Sequence, residues 1–345
     1  MKMSARGKVE FTDDESDVQS LTPGGSFVVE RSVGGIGGFF ASDVKRFEAR
    51  ESNGRIERKY QVDGRELGAD EGRKWLASFL PQTLRNMAVN ADRRVARQLA
   101  RGGPSLVLAE ITKTDGTFAK SVYLRELYKQ AQLDPQTLAF SFALAGRELT
   151  SDFELGQALK VAAEHQAIDT AMPAFVQATR AIESDFELRQ VLSKAVARPG
   201  LTAENTGAIF EAAVPADGGA GISSAFELAE LLKKAARDGR VSDANVAAYL
   251  TAARRVESDF ERRGVVQALA SVSLSDPHMA EVVGLASGIG SDFEKSEAIV
   301  KLSRTTPIGA ATRKALADAA MGIGSDFERG KALTALSRAG VLAAK

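Results

Sequence analysis

The chain has 345 residues, 45 Lys plus Arg against 45 Asp plus Glu, an apolar fraction of 44% and no cysteine. The even charge argues against a dedicated nucleic-acid binder, which carries a basic excess. The missing cysteines remove disulfides, thiolate metal sites and cysteine nucleophiles, and no apolar run approaches the roughly 18 residues of a membrane span. The start, Met1–Gly7, lacks the apolar core of a signal peptide and reads equally as the cut edge of a longer protein. Cysteine absence suits a cytosol or an oxidising compartment alike, so the compartment stays unassigned.

The first 69 residues read as a small antiparallel β meander. Strand-like segments Lys8–Phe11, Ser26–Val33, Val44–Arg50 and Ile56–Val62 lie between turn signals. Asn53-Gly54 and Asp63-Gly64 supply the positive-φ residues that tight hairpins require. The Gly34–Gly38 cluster precedes no clear helix, so a hairpin loop is the reading rather than a phosphate cradle. Asp13-Asp14-Glu15-Ser16-Asp17 lacks the glycine and distant glutamate of an EF-hand loop and reads as a solvated turn.

Residues 70–113 read as a helical connector. Asp70–Leu80 and Gln82–Val89 flank Pro81, and Trp75, Leu76 and Phe79 share a face that plugs sheet against helices. Ala91–Ala100 is an arginine-rich helix ending at Arg101-Gly102-Gly103-Pro104, followed by a short helix over Ser105–Lys113. Arg93, Arg94, Arg97 and Arg101 form a basic stripe able to meet an anion or a phosphate backbone, although a solvated face is the more usual meaning of such a stripe.

From residue 114 to 345 the chain is repetitive. Ser-Asp-Phe-Glu recurs at Ser151, Ser184, Ser258, Ser291 and Ser325, with Ser224-Ala225-Phe226-Glu227 as a sixth copy; the phenylalanines are 33, 40, 34, 33 and 34 residues apart. A fixed period of this size means stacked supersecondary units. Ser-x-x-Glu is a capping box, in which the serine accepts from the N3 amide and the glutamate reaches back to the cap amide. The Asp at N1 meets the positive end of the helix dipole. An aliphatic two residues earlier (Leu149, Ile182, Ile222, Val256, Ile289, Ile323) anchors each turn. Apolar residues follow at offsets five, six and nine from the phenylalanine, such as Ala158, Leu159 and Ala162.

A second helix opens at Asp134-Pro135, Asp169, Thr202, Ser242-Asp243 and Asp276-Pro277. Each unit is therefore a helical hairpin, with a degenerate unit around Phe118 and a glycine-rich loop at Pro215–Gly221. The expected fold is mainly α: a right-handed, HEAT-like α-solenoid of about seven hairpins behind a small β domain. The tryptophan, glycine and tyrosine pattern of tetratricopeptide repeats is missing. The repeated phenylalanine points away from the offset-five, six and nine stripe. Burial against the neighbouring repeat is the expectation, over a displayed ladder of six aromatics.

His165 and His278 lie in no metal spacing and read as surface residues. Arg147, Arg180 and Arg254 share one repeat position at the ends of second helices, where cations complement the dipole; aligned arginines can also line a partner-binding groove. No nucleophile, acid and base can be assembled from spacing, and neither an enzyme nor a cofactor is expected.

Val9–Val18 followed by Leu21-Thr22-Pro23-Gly24-Gly25, together with the recurring Ile-x-Ser-Asp-Phe-Glu, resembles a soluble region of bacterial membrane metallopeptidases of the BlaR1/M56 type, over nearly the whole chain. The resemblance implies a sensor, scaffold or partner-binding appendage, and this chain carries no His-Glu-x-x-His. Three functional expectations follow. The first is a non-catalytic scaffold for a protein or peptide partner. The alternative is a regulatory or sensor module of a membrane metallopeptidase system, attached to a membrane protein. The last is a nucleic-acid-binding helical repeat using the Arg93–Arg101 stripe.

Overall fold

A computed structural model of the protein describes residues 2–33, 43–214, 221–305 and 308–342; the glycine cluster at 34–38 and all but the last residue of the 215–221 loop lie outside the described residues. The chain divides into two compact units, Met1–Ala91 with Thr114–Ala119, and Asp92–Lys113 with Lys120–Lys345.

In the first unit a five-stranded antiparallel sheet runs in the order β1 (Lys2–Arg6), β4 (Ser26–Val33), β5 (Asp43–Ser52), β6 (Arg55–Val62), β7 (Arg65–Glu66), and β2 (Val9–Phe11) pairs with β3 (Val18–Leu21). The hairpin residues behave as their types require: Asn53 and Gly54 sit at φ 54° and 77°, Asp63 and Gly64 at 47° and 79°. β1, β3 and β7 are strands beyond those read from the sequence. Lys2–Arg6 has no apolar alternation to signal it and is fixed by pairing with β4, Met3 opposite Val29.

The buried face carries Phe27, Val29, Phe47, Ala49 and Tyr60, and Leu76, Phe79, Leu80 and Leu84 close over it. These come from α1 (Ala69–Ala77), α2 (Leu80–Asn86) and the residues between them. A Cβ on Gly72 would fall 2.2 Å from Tyr60 Cγ, so glycine is what lets α1 approach the sheet this closely. The expected connector is thus divided: α1 and α2 belong to the sheet's unit, and α3 (Ala91–Thr112) to the other except for its first residue. As expected from the Gly-Gly-Pro sequence, α3 is broken at Gly102 (ψ 16°) and Gly103 (φ 67°).

The second unit is a two-layer stack of helical hairpins. After α4 (Thr117–Gln130), one layer holds α6 (Asp152–His165), α8 (Asp185–Val196), α10 (Ala225–Arg237), α12 (Asp259–Leu269), α14 (Asp292–Leu302) and α16 (Asp326–Arg338). The other holds α5 (Pro135–Glu148), α7 (Met172–Thr179), α9 (Ala203–Ala212), α11 (Val246–Arg254), α13 (Asp276–Ser287) and α15 (Ala310–Met321). Each helix packs on the next in its own layer and on its hairpin partner. A mainly helical repeat with a small antiparallel β unit is therefore the architecture. The offset-five, six and nine residues are buried, except half-buried Leu333 in the last unit, as are the six turn aliphatics from Leu149 to Ile323. The second-helix layer adds a buried aromatic column: Phe142 stacks on Phe175 (5.3 Å between centroids) and Phe210 on Tyr249 (5.3 Å).

The motif performs more than the expected capping. Each serine Oγ accepts from the N3 glutamate amide, at 3.3–3.4 Å in all six copies. The N1 aspartate is a staple between units. Asp152 accepts from Glu183 N and Ser184 N, Asp185 from Ser223 N and Ser224 N, Asp259 from Gly290 N and Ser291 N, and Asp292 from Gly324 N and Ser325 N. The glutamates reach to the preceding unit and not back to their own cap amide, which corrects the expected capping box. Glu187, Glu227, Glu261 and Glu294 pair with Lys160, Arg189, Lys233 and Arg263 of the preceding unit. Where Lys160 reaches up, position 156 is glycine; a Cβ there would meet Glu187 Oε2 at 2.8 Å.

Second-helix starts also differ in detail. Asp134 and Thr202 are side-chain caps as expected. Asp169 lies in a short 3-10 turn, while Asp243 and Asp276 are staples: Asp243 accepts from Ser275 N, and Asp276 from Ala311 N and Thr312 N.

Candidate interaction surface

The six repeated phenylalanines are displayed. Phe153, Phe186, Phe226, Phe260, Phe293 and Phe327 are 48–79% exposed, which overturns the expectation of burial. The physical reason lies in the packing around them. Each ring stands at N2, opposite the apolar stripe, and beside Phe153, Phe186, Phe260 and Phe293 the link to the neighbouring unit is made by the aspartate staple. The rings therefore line the outer side of the first-helix layer, one per helix.

Three rings carry a cation on one face: Arg189 over Phe186 at 5.3 Å, Arg263 over Phe260 at 4.9 Å, and Lys331, from the following unit, over Phe293 at 5.2 Å. Such contacts are worth about 0.5–1 kcal/mol at exposed sites and hold the rings in place without covering them. The sequence contained this signal in Arg189 and Arg263, each three residues beyond its phenylalanine and so on the same helix face.

Arg147, Arg180 and Arg254 are exposed at the C-terminal ends of α5, α7 and α11. Each precedes a ladder ring by six residues (Phe153, Phe186, Phe260), so both features lie along the same turn edge of the stack. A carboxylate accompanies each arginine: Arg147 Nε donates to Glu148 Oε1 at 2.9 Å, and exposed Glu183 and Glu257 stand in the turns after Arg180 and Arg254. A second exposed cation, Arg255, lies beside Arg254.

The other sequence candidate is dispersed. Arg94 is 5% exposed and donates to the Tyr123 hydroxyl, whereas Arg93 and Arg101 are exposed and Arg97 is half-buried.

His165 is exposed, and His278 joins a small polar cluster with Ser275 and Asp243. One nitrogen, Nδ1, faces both Asp243 Oδ1 (2.6 Å) and Ser275 Oγ (3.1 Å). A catalytic triad requires the two ring nitrogens to serve the two partners separately, so this cluster is a staple between α11 and α13. His278, ahead of the other contacts, draws the Asp243 carboxyl below its ordinary value.

Among the described residues no group of His, Cys, Asp and Glu is arranged to hold a metal ion, and no helix is long and apolar enough to cross a membrane. Open clefts lie between first helices. One, of about 990 Å³, includes Arg304, Phe327, Lys331 and Arg338 between α14 and α16. Another, of about 670 Å³, includes Lys233, Arg237 and Gln267 between α10 and α12. Compared with protein-family models, with curated proteins and with solved structures, the chain matches none.

Proposed function

We propose that the protein is a non-catalytic scaffold that binds a protein or peptide partner along the phenylalanine ladder. One observation carries the reading: six rings at the same repeat position are held outward, each 48–79% exposed. Burying a phenylalanine would stabilise a unit by about 1.5–3 kcal/mol. Capping needs only the serine, and stapling only the aspartate. A ring at N2 that serves neither end, in every unit, is accounted for by contact with another molecule. Solenoids present such extended surfaces.

The test places a photo-crosslinking phenylalanine analogue, in turn, at Phe186, Phe226 and Phe260 of the full chain in cells of the source organism. A discrete adduct at the ladder that disappears when the analogue is moved to exposed Ala311 supports the reading. No adduct at any of the three positions rejects it. Charge reversal at Arg147, Arg180 and Arg254 then asks whether the neighbouring edge contributes to the same contact. The resemblance to the soluble region of membrane metallopeptidases gives this scaffold a context, as a regulatory appendage in such a system. Recovery of the native protein in the membrane fraction is the measurement that supports it.

A further inference from the structure

The cleft between α14 and α16 has counterparts at the same repeat position, and the junctions differ in what they place there. Between α6 and α8 the groove, of about 400 Å³, holds an ion pair of the chain's own. Glu164, eleven residues after Phe153, meets Lys194, eight residues after Phe186, at 3.0 Å. Between α10 and α12 the place of Glu164 is taken by Arg237 and that of Lys194 by Ala268. Between α14 and α16 the corresponding residues are Arg304 and Ala335, the groove widens to about 990 Å³, and α16 adds its own offset-eleven arginine, Arg338.

The exchange of an acid for arginine leaves cations without a counter-charge. Arg304 and Arg338 are exposed, and neither side chain has an ion-pair or hydrogen-bond partner among the described residues. Arg313, half-buried in the first turn of α15, is fixed by two carbonyls: Nε donates to Ile308 O at 3.3 Å and Nη1 to Gly340 O at 2.6 Å. The carboxylates near the cleft are engaged elsewhere. Glu297 and Glu328 both hold Lys331, at 2.5 and 3.4 Å, and Asp326 contacts Arg329. Glu297 precedes Arg304 by two helical turns, about 10 Å, and Asp326 precedes Arg338 by about 18 Å. Cations at helix C-termini complement the dipole, but that role does not require two helices and a third element to present them to one cleft.

Beside the guanidinium groups, half-buried Val300, Ile308 and Ala335 give the cleft an apolar wall. A guanidinium offers paired N–H donors that match a carboxylate or a phosphate, and a cleft of this volume suits a small molecule. We propose that the α14–α16 cleft is a binding site for a small, multiply charged organic oxyanion. Its phosphate or carboxylate groups are taken by Arg304, Arg338 and the remaining N–H groups of Arg313, and its apolar body lies on Val300, Ile308 and Ala335. The ligand brings from outside the negative charge that Glu164 supplies from within at the α6–α8 groove.

The experiment is equilibrium dialysis of the full chain against naphthyl phosphate and, separately, naphthalene dicarboxylate, which carry the two oxyanions on the same ring system. Saturable binding of at least one probe is expected, weaker at high salt. The combined Arg304→Gln, Arg338→Gln variant should lose about tenfold or more in affinity, as expected for hydrogen bonds to a charged group. Both side chains are exposed, so its circular dichroism should match wild type; Arg313 is left intact because it ties α15 to Gly340. Arg237→Gln, in the α10–α12 groove, should change the affinity by no more than about twofold.

The tighter of the two probes identifies the ligand's anion as phosphate or carboxylate. Binding that survives the paired substitution, or that falls as much with Arg237→Gln, places the anion elsewhere and overturns the assignment. Absence of saturable binding by both probes at low salt overturns it as well. Inorganic phosphate competing as tightly as naphthyl phosphate would overturn the organic part of the assignment, since the apolar wall would then contribute nothing. Crosslinking at Phe186, Phe226 and Phe260 is a separate readout, and the scaffold reading stands or falls without this site.

Discussion

The two layers of the repeat use the same residue type, at nearly the same period, for opposite ends. In the second-helix layer Phe142, Phe175 and Phe210 are fully buried and Tyr249 continues their column. In the first-helix layer the phenylalanines face outward, and polar links connect the units instead. The second layer takes up the same polar device where its aromatics run out. Beyond Tyr249 no aromatic follows in α13 or α15, and Asp243 and Asp276 appear there as staples to the next unit. A junction is thus closed by buried rings or by carboxylates on backbone amides, and a ring that closes no junction is free for another task.

The largest effect should come from the buried column. Phe175→Ala removes a ring packed edge-on against Phe142 and leaves a cavity that the neighbouring helices cannot fill. Its cost is expected to be about 3–5 kcal/mol in urea unfolding. A loss below about 1 kcal/mol would show that the second layer is not held by aromatic packing, and the contrast between layers would collapse.

The staples should come next, and the chain contains its own control. Asp259 accepts from two amides at 3.0 and 2.8 Å. Replacing it with alanine strands both donors at the α12–α14 junction, at an expected cost of about 1–2 kcal/mol, comparable to losing a helix cap. At the preceding junction the motif reads Ser224-Ala225-Phe226-Glu227, and Ala225 offers no acceptor to the amides before α12. The Lys233–Glu261 pair, at 2.8 Å, remains there. Ala225→Asp should therefore stabilise the protein by about 0.5–1 kcal/mol. Should Asp259→Ala be silent and Ala225→Asp harmful, the aspartate is a dipole partner for its own helix and no staple.

The pH dependence follows from the same groups. Amides of Gly324 and then Ser325 hold the Asp292 carboxyl below the ordinary carboxylate range. For Asp276 it is the Thr312 hydroxyl first and then backbone amides. A carboxyl whose folded value is depressed stabilises the fold above its unfolded pKa, about 3.9, and this contribution is lost as pH falls through the lower folded value. Wild type and Asp292→Asn should thus differ in unfolding midpoint at pH 6 and converge toward pH 3. A difference that persists unchanged at pH 3 would mean that charge at this position is irrelevant.

How much of this was legible in the sequence depends on whether the signal was local. Helix starts were, because Ser-x-x-Glu acts within four residues; so were the hairpins at Asn53-Gly54 and Asp63-Gly64, and the break at Gly102-Gly103. The staple was not, because Asp152 finds its donors 31 and 32 residues away, and single-helix reasoning offers only the dipole. β1 was missed for the same reason, since its partner β4 defines it. The orientation of Phe153 and its equivalents was half legible. Their angle excluded them from the apolar stripe, but whether a neighbouring unit covered them depended on what else filled that space.

The smallest effect is expected where the sequence alone suggested a large one. Phe260 is 59% exposed and Arg263 lies over its ring at 4.9 Å. Removing the ring forfeits that contact and some partial burial, so Phe260→Ala should change stability by no more than about 0.5–1 kcal/mol. Set beside Phe175→Ala on the same urea axis, it measures the difference between the layers directly. Comparable losses at the two positions would place Phe260 within the packing and remove the reason to seek a partner on the ladder. A several-fold smaller loss at Phe260, in a fold that keeps the residue in all six units, leaves binding as the physical account of the ring.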